Sequence, residues 1–228
     1  DGLLPYDERV LRVRLSGLQP GRVYHYRVQT AAFDFTHPYS VGRGAAQPGP
    51  IFEFKTLDAG ASEARFIVWN DTHQNQDTIA QLIEQSARHP ADFLFWNGDL
   101  FNAITTDAML EGEVLHPAGR EYAARRPVMF GRGNHDVRGA RARLLHRVLE
   151  PAGGRYYHHF RHGPAAFLAL DTGEDKVDTH QEYGGLTDFA GYRSAQVPWL
   201  EAALARPELG AAPFRILFTH IPLRGPGQ

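Results

Sequence analysis

Gly133-Asn134-His135-Asp136 follows directly on Pro127-Val-Met-Phe-Gly-Arg132. A short apolar run bounded by turn residues reads as a buried strand, and the polar residues after it as a loop at the strand's carboxyl end. The pattern occurs three more times. Residues 65–70 run into Asp71-Thr-His73, residues 92–97 into Gly98-Asp99, and residues 214–219 into His220. In an open α/β sheet the loops beyond the carboxyl ends of the strands share one crevice. Segments far apart in sequence would thus surround one point with Asp71, Asp99, His73, His220 and Asn134, a donor set for divalent metals.

Between these strands lie helical patterns at 76–88, where Ile79, Leu82 and Ile83 share a face, at 138–149 and at 194–204. Alternation of this kind argues for βαβ units. Residues 156–161 and 165–171 read as an antiparallel pair meeting near Gly163-Pro164, and 111–126 as partly helical. Ahead of Arg65 the period is different. Residues 10–15 and 23–29 alternate around the turn Gly17-Leu-Gln-Pro-Gly21, and 52–56 add a further strand, so this part reads as β. Leu57-Asp-Ala-Gly60-Ala-Ser-Glu63 is a small polar linker. The organisation expected is a β domain over 1–57, a linker over 58–64 and an α/β domain over 65–228.

Composition narrows the function classes. The chain has 228 residues, enough to bury a full core, with 24 basic and 26 acidic residues, so no basic field points to nucleic acid. It has no cysteine, which excludes disulfides and thiolate metal sites. No apolar run approaches the roughly 18 residues of a membrane span.

The chemistry follows from the donor types. A carboxylate has two oxygens, and Asp99, behind the tight Gly98 turn, is the candidate bridge between two cations. Asp71 and His73 lie two residues apart where a strand unwinds, so both reach one ion. Asn134 offers an amide oxygen and His220 an imidazole nitrogen. Hard oxygen with imidazole suits manganese, iron or zinc better than calcium. Two such ions about 3.5–4 Å apart would share a water, lower its pKa and clamp a phosphoryl displacement. His135 overhangs the site and is placed to protonate a departing alkoxide or to stabilise its charge. Asp136 either orients His135 or caps the turn before Arg138, and both readings stay open. Taken singly, each residue has an ordinary reading as turn chemistry, capping or a satisfied histidine. The weight lies in the ordered set.

From Arg65 to the end, the sequence resembles the calcineurin-like metallophosphoesterase superfamily. Its pattern is Asp-x-His, Gly-Asp-x-x-(Asp/Asn), Gly-Asn-His-(Asp/Glu), a later His, and Gly-His-x-His. The first four stand here as Asp71-x-His73, Gly98-Asp99-Leu-Phe-Asn102, Gly133-Asn134-His135-Asp136 and His220. The resemblance implies that Asp71 and His73 hold one metal, Asp99 bridges, Asn134 and His220 hold the second, and His135 is the catalytic histidine. It also implies a β-sandwich flanked by helices, which replaces the simple open sheet. Leu18-x-Pro-Gly21-x-x-Tyr24-x-Tyr26-Arg-Val28 resembles the tyrosine-corner region of a fibronectin type III (Ig-like) sandwich, of which about half is visible. The function expected is dinuclear metal-dependent hydrolysis of phosphate mono- or diesters. A binding or scaffold protein with an incomplete site is the alternative.

The resemblance is incomplete. Gly-His-x-His does not occur in the 228 residues. The half sandwich and the closing Gly225-Pro-Gly-Gln228 lead to the expectation of a piece of a longer protein. Purple acid phosphatases share the domain order but carry tyrosine where Asn102 stands and glycine where His73 stands, so a purple iron site is not expected. Asn75, Asn102, Arg138 and His180, with Tyr183 and Tyr192, are candidates for the crevice rim, and the polar loop 172–191 is either a substrate-facing lid or ordinary surface. His158-His159-x-x-His162, with no acidic residue nearby in sequence, reads as surface histidines. Sandwich domains of this type point by analogy to an extracytoplasmic bacterial protein.

Overall fold

The computed structural model describes residues 10–223. The first nine residues of the expected β domain, and the closing Gly225-Pro-Gly-Gln228, lie outside them.

Two three-stranded sheets stack face to face in the α/β part. One holds β7 (Phe66–Trp69), β8 (Phe93–Asn97) and β9 (Val128–Gly131), all parallel, with β8 central. The other holds β10 (His158–His162), β11 (Ala165–Ala169) and β12 (Phe214–Phe218). Here β10 and β11 are antiparallel, whereas β11 and β12 are parallel. Side chains alternate across a strand, so β8 divides its apolar residues between two faces. Phe93 and Phe95 meet Phe167 and Phe218 of the second sheet, and the Phe95 and Phe218 rings stack 3.8 Å apart. Leu94 and Trp96 face the other way, toward Ile83, Leu110 and Leu145. A fully buried aromatic contributes roughly 1.5–3 kcal/mol, so these two layers hold the sheets in register.

Helices cover both outer faces. α1 (Gln76–Ala87) and α2 (Asp107–Leu115) connect β7, β8 and β9 in chain order. α3 (Phe189–Leu204) and α4 (Pro207–Gly210) lead into β12, and Ala203 and Leu209 pack on Ala166 and Leu168 of β11. The architecture is the expected helix-flanked β-sandwich of the α/β class. Its consequence is positional: β7, β8, β9 and β12 all deliver their carboxyl-end loops to one edge.

The N-terminal part is a nested antiparallel ribbon. β1 (Val23–Tyr26) pairs with β6 (Phe52–Lys55), β2 (Gln29–Thr30) with β5 (Gln47–Pro48), and β3 (Phe33–His37) with β4 (Ser40–Arg43). Tyr24 stacks on Phe54, and its hydroxyl accepts from the amide of Gln19 at 2.8 Å.

Three sequence expectations are corrected. Residues 10–15 alternate but join no sheet, and Leu11, Val13 and Leu15 are exposed. Residues 138–149 form no α-helix. Arg138 is extended and Gly139 has φ +94°, because backbone bonds from Ile104 to Arg138 and from Arg141 to Ile104 claim the segment, leaving a 3₁₀ stretch at Ala142–Arg147. His162 is buried, with Nε2 2.9 Å from Asp92, an acidic partner distant in sequence.

Candidate metal centre and catalytic site

Backbone bonds assemble the site before any side chain is considered. The 71–74 loop lies along the 98–100 loop, with the amides of Asp71, His73 and Gln74 donating to the carbonyls of Gly98, Asp99 and Leu100. That course puts Asp71 at φ +52°, His73 at +45°, Gln74 at +59° and Asp99 at +50°. Left-handed backbone costs about 1–3 kcal/mol per non-glycine residue and persists only where its surroundings hold it. Gly133 admits no side chain, since a Cβ there would overlap Asp99 Oδ1 and its amide. Gly98 is similarly confined, with φ +83° and a Cβ there falling 2.6 Å from His220 Nδ1 and 2.7 Å from the Gly133 backbone.

Asp136 is the clamp between the second and third loops. Its carboxylate, wholly buried, accepts from the amides of Asp99 (2.9 Å), Gly133 (2.8 Å) and Phe101 (3.1 Å). Burial pushes its pKa up to about 7, against the pull of those amides. Neither sequence reading of Asp136 describes this placement. Its oxygens are taken by backbone amides instead of the His135 ring, and no side chain caps the following turn.

Asp99 is the hub. Its Oδ1 accepts from the amide of His135 at 2.9 Å. Its Oδ2 lies 3.3 Å from Nε2 of His220 and 3.5 Å from Nε2 of His73. Two donor groups therefore share this carboxylate: His73, Asp99 and His135, and Asp71, Asp99 and His220. Within each, the donor atoms lie within 4.8 Å of one another. Nδ1 of His220 lies 2.8 Å from the carbonyl of Asn97, which turns Nε2 toward Asp99, the arrangement usual for a metal-ligating histidine. Burial lowers the His220 pKa, but Asp99 and the Asn97 carbonyl outweigh it and push the value up to about 9. Asp99 is held below the usual carboxylate range: burial opposes this, and His220 with the His135 amide prevails. The residues fit a metal. Oxygen and imidazole donors converge on one carboxylate, and Nδ1 of His73 is buried without a protein partner.

His135 stands beside this hub, its ring 4.9 Å from that of His73 and nearly perpendicular to it. Its Nδ1 lies 2.9 Å from the carbonyl of Asn102, and its Nε2 3.1 Å from Nη1 of Arg138. Asn134 is the half-buried residue between Gly133 and His135.

The remaining rim residues are placed as follows. Asn102 is at the site, but its Nδ2 donates to the carbonyl of His73, so its side chain fastens the loop. Asn75 caps α1, with Oδ1 accepting from Thr78. His180 caps the 3₁₀ turn Gln181–Tyr183, Tyr183 is buried, and Tyr192 donates to Asp171. Of these, the structure brings only Asn102 and Arg138 to the His135 ring. Sequence reasoning missed Asn97, whose Nδ2 joins Asn70 of β7's end to Thr219 of β12's end, and Glu174, which holds Arg138. The unusual apolar-to-Asn step at the end of β8 was the available signal for the first; the second belongs to no motif.

Comparison with known proteins agrees with this fold. Residues 64–228 match the family model for calcineurin-like phosphoesterases. Among solved structures the chain is similar to a purple acid phosphatase, PPD1, from yellow lupin (Lupinus luteus) seeds, at 18% identity and a TM-score of 0.58. The similarity covers 89% of this chain but 37% of the lupin chain. No protein of curated function matches.

Proposed function

The chain belongs to the calcineurin-like phosphoesterase family, and on that premise we propose that it is a dinuclear metal-dependent hydrolase of phosphate mono- or diesters. The observation that carries the proposal is the sharing of Asp99 between two donor groups, one with His73 and His135 and the other with Asp71 and His220. By the resemblance, Asp71 and His73 would hold one ion, Asn134 and His220 the other, and Asp99 both. Manganese, iron or zinc suits these donors and, when bound, supplies Lewis-acid polarisation and an activated water. The protein does the rest. Gly98 and Gly133 let the three loops close on Asp99, and Asp136 keeps that carboxylate in place. His135 anchors Nδ1 on the Asn102 carbonyl and keeps Nε2 as the ring atom that passes a proton to a departing oxygen. The ribbon ahead of Arg65, as part of a fibronectin-like sandwich, and an extracytoplasmic location belong to the same proposal and rest on resemblance and analogy.

The test separates metal from proton transfer. Asp99→Asn is expected to lose metal and hydrolysis of p-nitrophenyl phosphate together. His135→Ala is expected to keep its metal and lose about 10²–10⁴ in rate. Hydrolysis by a metal-free Asp99→Asn protein would refute the proposal.

A further inference from the structure

Glu174 lies outside the sequence motifs, yet its carboxylate is fully buried beside the crevice. It accepts from Nε of Arg138 at 2.8 Å and from Nη2 at 3.0 Å. The third nitrogen of that guanidinium, Nη1, lies against the His135 ring, 3.1 Å from Nε2 and 3.4 Å from Nδ1. The Asn102 carbonyl can only accept, so the ring keeps a proton on Nδ1, and the guanidinium packs against the ring that this bond orients. We propose that Glu174 is a positioning residue, which fixes Arg138 so that Arg138 fixes the His135 ring. What His135 then does rests on the phosphoesterase reading; how it is held rests on geometry alone.

Two further observations support this. A fork-to-carboxylate pair sets the orientation of the guanidinium as well as its charge, and lysine cannot reproduce it. The other charges near Arg138, Asp175 and Glu182, lie 3.8 Å away and are far more exposed, so Glu174 sets the geometry. The chain beneath Glu174 is also fastened. Arg193 of α3 donates to the carbonyls of Thr172 and Glu174 at 3.1 and 3.2 Å, and the Gly173 amide donates to the buried Asp171. The start of the 172–191 loop is thereby a fixed support for the catalytic histidine.

Glu174→Gln keeps the shape of the side chain and removes an acceptor. It is expected to lower kcat about tenfold, as a small misplacement does, with KM within about twofold and metal content unchanged. The loss should be larger for an alkyl phosphate, whose leaving oxygen needs a proton, than for p-nitrophenyl phosphate. Arg138→Lys, at a less buried position, should show the same split. In a His135→Ala background Glu174→Gln should cost nothing more, because both act through one ring. Imidazole ¹⁵N spectra of the full chain, recorded with and without zinc, should show Nδ1–H at His135 and shifted His135 ring signals in both variants. An undiminished loss in the His135→Ala background, a parallel fall in metal content, or unchanged ring spectra would overturn the proposal. If the wild type hydrolyses no phosphate ester while the ring spectra respond, the phosphoesterase reading falls and the positioning role stands.

Discussion

His220 and His73 flank the same carboxylate and are held in different ways. His220 is 7% exposed, and the Asn97 carbonyl fixes its ring from behind. His73 is 33% exposed, stands on left-handed backbone, and has a buried Nδ1 that no protein group meets. The first donor is set by the fold; the second is brought to its place by a strained loop and left incompletely partnered. On the proposed reading, the difference teaches that one half of the centre would be organised before an ion arrives and the other half with it.

Two measurements sharpen this contrast. The larger effect is in metal affinity. His220→Ala is expected to weaken zinc binding by at least about 100-fold, and His73→Ala about tenfold less, by direct titration. Equal losses would erase the distinction. The smaller effect is in pH. With its value raised to about 9, His220 carries a proton at neutrality, so zinc uptake releases a proton and strengthens as pH rises toward 9. The sign for stability is opposite in the metal-free protein. A histidine raised from 6.5 contributes fully below about 6.5 and loses that contribution as pH rises through about 9. The metal-free Tm should therefore decline across that window, and His220→Ala should flatten the decline.

What sequence revealed and concealed follows the range of the interactions involved. The alternation of Phe93 and Phe95 against Leu94 and Trp96 is local, so the strands were legible, and so were the polar residues that end them. The sandwich came from resemblance, since a buried apolar strand looks alike in either arrangement. The absent helix after Arg138 depends on Ile104, more than 30 residues away, whose backbone takes both ends of the Arg138–Arg141 turn. Asp136 is misread for the same reason: two of its amide donors, Asp99 and Phe101, lie in another loop. His162 hides its partner Asp92 on a different strand. Glu174 carries no local signature, because its meaning comes from the orientation it gives Arg138.

The central claim is that Asp99 joins two ions. Crystals of the protein soaked in manganese, with anomalous scattering recorded at the metal edge, test it most directly. The account predicts two peaks on either side of the Asp99 carboxylate, one beside Asp71 and His73 and the other beside Asn134 and His220. A single peak, or peaks away from Asp99, would contradict it.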